Sequence, residues 1–243
     1  MKNFILLPIL FMSLLGCSSS EKRSDTPDGL FAIAQEYEEA DRYELAILRY
    51  TEVKNKFPYS SFALKAELAI ADVHYKAESW PEAQVSYQAF RELHPTHPQI
   101  PYVVYRIGMS FFQQVPESVD RDLTLAHDAI AAFDEVVRRF PKSEYSKDSE
   151  VKRKECLKRL AGKEEYIADF YFKRGMYDSA LPRYEGLLRT YPQLGFEEKA
   201  LARAAICARR TDQKDKAHEY LGLLEKNHPQ SSELGAARKE ISE

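Results

Sequence analysis

Residues 43–58 read YELAILRYTEVKNKFP, and residues 80–95 read WPEAQVSYQAFRELHP. Each segment has an alanine in fourth place, a tyrosine four residues later and a proline twelve residues after the alanine. The five copies of this pattern in the chain are Ala46, Tyr50, Pro58; Ala83, Tyr87, Pro95; Ala129, Phe133, Pro141; Ala180, Tyr184, Pro192; and Ala217, Leu221, Pro229. The constant alanine-to-proline distance indicates an array of similar structural units.

The proline of each copy predicts the end of a helix. Proline has no backbone donor, and it pushes the preceding residue out of the α region. That preceding residue always has a ring, as the sequence shows for Phe57, His94, Phe140, Tyr191 and His228. Serines just after the prolines, such as Ser60 and Ser143, are expected to cap the next helix.

A second small residue precedes the repeated alanine by twelve positions in four copies. These residues are Ala34, Ala71, Ala168 and Ala205. Small residues at this spacing let the two helices of a hairpin cross closely without overpacking. The pattern is that of tetratricopeptide repeats, so the predicted fold is all-α: a tetratricopeptide-repeat solenoid of five helix hairpins with a C-terminal capping helix.

Spacings between the repeated alanines set the predicted boundaries. The alanines lie 37, 46, 51 and 37 residues apart, which places repeats at about 30–58, 62–95, 99–141, 145–192 and 195–229, and the cap helix at 232–242. The extra residues of the third repeat include Pro116 and Asp120-Arg121-Asp122 and predict a loop, whereas those of the fourth predict a long helix from about 146 to 174. Pro182 predicts a kink or a cost of about 3 kcal/mol in the helix that follows.

The first residues resemble a bacterial lipoprotein signal peptide. Lys2 precedes an apolar run from Phe4 to Leu15 that is too short to span a bilayer. The run ends in Leu14-Leu15-Gly16-Cys17, which resembles a lipobox. Residues 1–16 are therefore expected to be removed, and a covalent lipid on Cys17 is the only attached group expected. The alternative is an ordinary secretory signal with a chance cysteine.

The residues after Cys17 predict a tether and a destination. Ser18 replaces the aspartate that favours inner-membrane retention in many lipoproteins, so the resemblance implies the outer membrane, facing the periplasm. Residues 17–29 are polar and serine-rich and predict a flexible tether. The remaining cysteines, Cys156 and Cys207, are open to two interpretations, a disulfide or buried free thiols.

Composition and motifs exclude several classes of function. The net charge of −3 over 243 residues gives no field that would attract nucleic acid. The sequence contains no glycine-rich phosphate loop, nucleophile elbow or paired-cysteine metal motif, so we expect no enzyme and no metal site, not even at His94 and His97. The basic residues between Lys152 and Lys163 alternate with glutamates and predict a solvated helix face, with a partner-binding stripe as the alternative.

Several segments resemble the BamD family of outer membrane lipoproteins, and the resemblance covers nearly the whole chain. The matching segments are 57–59 (FPY), 94–98 (HPTHP), 102–106 (YVVYR), 120–122 (DRD), 138–145 (RRFPKSEY), Arg174-Gly175, Arg183 and Glu185-Gly186. The HPTHP segment is the most specific, because ordinary tetratricopeptide loops do not contain it. The loop before Asp120 is shorter than in well-known members, which puts contacts there with lipoproteins such as BamC in doubt.

The resemblance implies a scaffold of the β-barrel assembly (BAM) complex. Its C-terminal repeats would bind the last POTRA domain of the insertase BamA, and other Bam lipoproteins are further candidate partners. Arg183, Glu185 and Arg174 are the candidate BamA-binding residues. The N-terminal repeats would receive the C-terminal signal of unfolded outer-membrane proteins, with Phe57, Tyr59, His97 and Tyr102 as candidate client-binding residues. The alternative is another periplasmic adaptor lipoprotein that coordinates cell-envelope or division proteins.

Overall fold

The computed structural model describes residues 25–242, and α-helices make up most of this range. The helices are α1 Pro27–Glu39, α2 Tyr43–Lys56, α3 Ser61–Lys76, α4 Trp80–Leu93, α5 Ile100–Gln114, α6 Leu125–Arg139, α7 Ser146–Lys173, α8 Tyr177–Thr190, α9 Glu197–Arg210, α10 Lys214–Asn227 and α11 Leu234–Ser242. Consecutive helices pair as hairpins, so α1 and α2 form repeat 1 and α9 and α10 form repeat 5. Helix α11 packs on α9 and α10 as the cap. The predicted all-α architecture of five hairpins and a cap is confirmed.

The small residues of the repeat lie at the helix crossings, as the pattern predicts. The repeated alanines and the small residues that precede them are all fully buried: Ala34, Ala46, Ala71, Ala83, Ala129, Ala168, Ala180, Ala205 and Ala217. In repeat 3, where the spacing rule has no match, Gly108 occupies the position. A β-carbon on Gly108 would lie only 2.7 Å from the buried ring of Phe133, so this crossing has no room for a side chain.

The N-terminal boundary of the solenoid differs from the prediction. Residues 1–16 and Cys17 lie outside the described range. The predicted tether at 17–29 is wrong at its end, because α1 begins at Pro27. Proline at the first position of a helix loses no hydrogen bond, and the Thr26 hydroxyl caps the helix by accepting from the Gly29 amide. Helix α3 is capped in the same way, because the Ser60 hydroxyl accepts from the Ala63 amide as predicted. The predicted cap at Ser143 is wrong, because its hydroxyl has no hydrogen-bond partner.

The insertion in repeat 3 is held by α7. Arg159 donates to the carbonyl of Val115 at 2.8 Å, and Lys163 donates to the carbonyl of Arg121 at 2.5 Å. Arg153 pairs with Asp134 of α6 at 2.6 Å. These three cations belong to the basic face that the sequence predicted to be solvated. They instead hold the 115–124 loop and α6 against α7.

Two local features complete the fold. Helix α8 continues through Pro182 to Thr190; the proline and Asp178 are both exposed, so water can satisfy the Asp178 carbonyl that lacks its helical donor. Cys156 and Cys207 are buried free thiols, and burial raises the pKa of Cys156 to about 11. Within residues 25–242, no helix is both long enough and apolar enough to cross a bilayer.

Candidate functional site: the inner face of the solenoid

The odd-numbered helices line the inner side of the curved solenoid. Helix α1 contacts α3, and α7 contacts both α5 and α9, whereas extensive contact between even-numbered helices is missing from the described range. Side chains that project from the odd-numbered helices therefore face the concave surface that such solenoids use for binding.

Buried tyrosines of the even-numbered helices reach this inner face with their hydroxyl groups. Tyr50 donates to Glu38 at 2.6 Å, Tyr87 to Asp72 at 2.5 Å, and Tyr184 to Asp169 at 2.6 Å. A buried phenol needs such a partner. Each repeated tyrosine thus fills the hairpin crossing with its ring and orients an acidic residue of the inner face.

The C-terminal cluster consists of Asp169, Tyr184, Lys199, Arg203 and Phe172. Lys199 bonds the Asp169 carboxylate at 2.8 Å, Arg203 forms a second ion pair with it, and the guanidinium of Arg203 lies 5.0 Å from the ring centre of Phe172. Burial acts to raise the pKa of Asp169, but the hydrogen bonds from Lys199 and Tyr184 and the charge of Arg203 bring the pKa below its ordinary value. Lys199 also pairs with Glu165 at 3.2 Å, so both cations of the cluster are neutralised by acids of α7 and tie repeat 4 to repeat 5.

The N-terminal cluster occupies the same register between repeats 2 and 3 and consists of Asp72, Tyr87, Tyr102, Arg106 and Tyr75. Asp72 follows the small residue of its repeat by one position, as Asp169 does, and Tyr102 and Arg106 stand where Lys199 and Arg203 stand. Tyr102 donates to Asp72 at 2.6 Å, and Arg106 donates from Nε to the Tyr102 oxygen at 3.0 Å. Burial raises the pKa of Asp72 in spite of the two tyrosine donors.

Further aromatic rings extend the N-terminal cluster toward α7. Tyr105 and Tyr145 stack with their ring centres 5.2 Å apart, and Tyr145 lies 5.5 Å from Tyr102. Tyr105 donates to Asp148 at 2.6 Å. Because Tyr75, Tyr102, Tyr105, Arg106 and Tyr145 are all only half-buried, they present an aromatic surface with one cation, which we call the Arg106 cradle.

The candidate client-binding residues are distributed over two neighbouring loops and one helix. Phe57 packs into the core of repeat 1, whereas Tyr59 is fully exposed beside it. The ring of His97 lies edge-on to Phe90 at 5.3 Å, and Tyr102 belongs to the cradle. None of the described contacts joins Phe57 or Tyr59 to His97 or Tyr102.

The candidate BamA-binding residues do not form one cluster. Arg183 pairs with Glu164 of α7 at 3.3 Å, whereas Glu185 accepts from Lys216 at 2.9 Å and from Tyr220 at 2.8 Å. Arg174 caps α7 with its guanidinium 3.6 Å from the ring centre of Phe170. Glu185 also lines a groove of about 460 Å³ between α8, α9 and α10.

Sequence reasoning missed most of the cradle. Tyr75, Tyr105, Arg106 and Tyr145 of the cradle were not candidate binding residues, and neither was Asp72 of the N-terminal cluster. Their signal was the fixed offset from the small residue of each repeat, which places Asp72 and Asp169 in one register and Arg106 and Arg203 in another. The offset was hidden in repeat 3 because Gly108 lies far from its repeated alanine.

These features define the class as a tetratricopeptide-type helical solenoid, a scaffold fold with a polar and aromatic inner face. The model of the YfiO family of outer membrane lipoproteins matches residues 23–223, so the chain belongs to that family.

The chain is also similar to individual proteins. The chain is 28% identical to the outer membrane protein assembly factor BamD of Neisseria gonorrhoeae, over 95% of this chain and 93% of that protein. It is 28% identical to the BamD of Vibrio cholerae, over 83% of this chain and 88% of that protein. Among solved structures, it is similar to the TPR2AB domain of yeast Sti1, with a TM-score of 0.46 and 12% identity over 89% of this chain and 83% of that chain.

Proposed function

We propose that this chain is an outer membrane protein assembly factor, a lipid-anchored scaffold of the BAM complex that takes part in inserting β-barrel proteins into the outer membrane. The observation that carries the proposal is the family match across residues 23–223, which runs from before α1 into α10 and so includes part or all of each of the five repeats. Relatives that share this length with the chain are named as assembly factors.

The proposed mode of action is binding and not catalysis. The buried tyrosines and the acidic residues of the inner face are used in contacts between helices, as Tyr184 and Asp169 are. Such contacts hold a surface in shape. They leave its half-buried rings and charges to recognise a partner.

The two halves of the solenoid are proposed to bind different partners. The N-terminal half, with its exposed Tyr59 and the Arg106 cradle, would receive the C-terminal signal of unfolded β-barrel proteins. The C-terminal half would bind the POTRA domain of BamA through Arg183, Glu185 and Arg174 and the groove between α8 and α10. Arg183 is exposed and has a single anionic partner, Glu164, so its charge is available to a second protein.

The anchor is proposed to be lipid on Cys17. Replacing Cys17 by serine is expected to shift the protein from the membrane fraction to the soluble periplasm, or to halt its processing. Two or more acyl chains bind a bilayer stably, whereas the chain without them keeps no such attachment. Fractionation with metabolic labelling by a radioactive fatty acid measures both effects. Label that persists on the Cys17→Ser protein would contradict the anchor.

Affinity purification of the membrane complex through a C-terminal tag tests the proposed function. We expect a POTRA-containing barrel protein to accompany the tagged chain. Recovery of division or cell-wall proteins without such a barrel would replace the proposal by the adaptor alternative.

The variant Arg183→Glu tests the proposed BamA contact in the same purification. A carboxylate at that position repels an anionic partner group, so barrel recovery should fall several-fold while the helical fold remains, since an exposed ion pair contributes at most about 1 kcal/mol. The matched control is Arg49→Glu. Arg49 has 39% of its side chain exposed, pairs with Glu52 at 2.8 Å and, like Arg183, lies three residues after its repeated alanine. Equal recovery from both variants would remove Arg183 from the contact.

A further inference from the structure

Two arginines in the same register of the solenoid have different partners. Arg106 and Arg203 each lie two residues before the small residue of their helix, and each places its guanidinium against a ring of the preceding repeat, Tyr75 at 4.4 Å and Phe172 at 5.0 Å. Arg203 pairs with Asp169. Arg106 forms no ion pair with any carboxylate in residues 25–242, and its hydrogen bond goes from Nε to Tyr102.

A single sequence difference explains the contrast. In the C-terminal cluster the residue four before the arginine is Lys199, which takes one oxygen of Asp169 and leaves the other to Arg203. In the N-terminal cluster that residue is Tyr102. Its hydroxyl donates to the same Asp72 oxygen that accepts from Tyr87, and it lies between Asp72 and Arg106. Tyr102 therefore separates the arginine from the acid that would otherwise neutralise it.

The open side of Arg106 has the geometry of an anion site. Its two terminal nitrogens have no acceptor within the described residues and are not enclosed by protein. The faces of Tyr75 and Tyr102 fix the plane of the guanidinium. A planar fork held in this way binds a carboxylate through two parallel hydrogen bonds.

The surroundings favour a carboxylate with an apolar neighbour. Asp72 and Asp148 both bond tyrosines of the cluster, and their charges would oppose a phosphate dianion more than a single carboxylate. The stacked rings of Tyr105 and Tyr145 beside Arg106 provide an aromatic wall for an apolar or aromatic side chain.

We propose that Arg106 binds the terminal carboxylate of an extended client peptide while the last side chain packs on Tyr105 and Tyr145. The inference rests on the proposed function, because it takes the C-terminal signal of a client as the ligand. It adds the group that reads the chain terminus and the surface that reads the last side chain.

Binding of paired peptides to the full chain in mild detergent tests the proposal. The probes are fluorescein-labelled decapeptides with alternating apolar residues and a final phenylalanine, one with a free carboxylate and one with a C-terminal amide. The free acid is expected to bind about tenfold or more tightly than the amide. Arg106→Gln should remove this difference, so that the ratio of the two dissociation constants (the acid-to-amide ratio) falls to about one. Equal binding of the two peptides to the unaltered chain, or a ratio that survives Arg106→Gln, would overturn the proposal.

Two further variants and one further peptide exclude simpler explanations. Arg203→Gln should lower the melting temperature without changing the acid-to-amide ratio, and Arg106→Lys should restore only part of that ratio because it keeps the charge and loses the fork. An amidated peptide with an internal glutamate should bind like the plain amide, and Arg106-dependent binding as tight as that of the free acid would overturn the assignment to the chain terminus. The BAM purification has a separate readout, so loss of barrel recovery with an intact acid-to-amide ratio would refute the assembly function and keep the carboxylate site.

Discussion

Replacing Gly108 by alanine is expected to lower the free energy of unfolding by about 1–3 kcal/mol. The added β-carbon would lie 2.7 Å from Cε1 and 2.9 Å from Cδ1 of Phe133. That ring is fully buried and touches Tyr105 and Phe112, so it cannot move away without disturbing its neighbours. Urea denaturation followed by circular dichroism at 222 nm measures the loss.

A double-mutant cycle separates this clash from a general effect on the helix. Phe133→Leu removes the ring, and the double variant should lose less stability than the sum of the single variants. The control is Gly222→Ala in α10, where nothing lies within 4 Å of the added carbon. It should stabilise the protein by up to about 1 kcal/mol, because alanine is the better helix former. Additive losses in the cycle would contradict the close crossing.

Replacing Asp169 by asparagine is expected to cost about 2–3 kcal/mol at neutral pH, whereas Asp72→Asn should cost within about 1 kcal/mol. The amide leaves Arg203 without its counter-charge and leaves Lys199 with Glu165 alone. Asp169 joins α7 of repeat 4 to both cations of α9 in repeat 5. Asp72 bonds only tyrosine hydroxyls, which also donate to an amide oxygen. Urea denaturation of the matched pair measures the difference, and equal losses would contradict the assignment of roles.

The pH dependence should separate the two acids further. The pKa of Asp169 is lowered in the folded state, so its stabilisation is present above the ordinary value near 3.9 and is lost as the pH falls below about 4. The pKa of Asp72 is raised by burial, so its ionised form costs stability, and that cost disappears as the pH falls through the raised pKa. The deficit of Asp169→Asn should therefore shrink in acid. A deficit that grows below pH 4 would contradict the sign of the shift.

The same polar cluster occurs at two places in the solenoid and has a different role at each. The C-terminal copy pairs its cations with Asp169 and acts as a joint between repeats. The N-terminal copy replaces one cation by Tyr102, and this exchange leaves Arg106 without an ion pair in the described range. A local change of one residue type thus converts a structural contact into a surface available to a ligand.

The sequence by itself determined the helices, their pairing and the class of fold. A proline ends a helix through its own backbone, and a small residue permits a close crossing wherever it stands, so both signals are local and survive in a single chain. The alanines of the pattern, from Ala34 to Ala217, are all buried, so the pattern alone located the helix crossings that it marks. The anchor at Cys17 is likewise a sequence inference, and it lies outside the described residues.

Only the tertiary structure decided which inner-face charges are paired. Whether an arginine meets a carboxylate depends on helices some thirty residues apart, as between Arg203 and Asp169 or Arg106 and Asp72. The role of Gly108 was hidden because the inserted 115–124 loop changes its distance from Ala129, and the role of Arg159 was hidden because its acceptor lies 44 residues away. Backbone preferences act within a few residues of the chain. Ion pairs and ring contacts depend instead on how the repeats pack, and this packing decides which surface remains open for a partner.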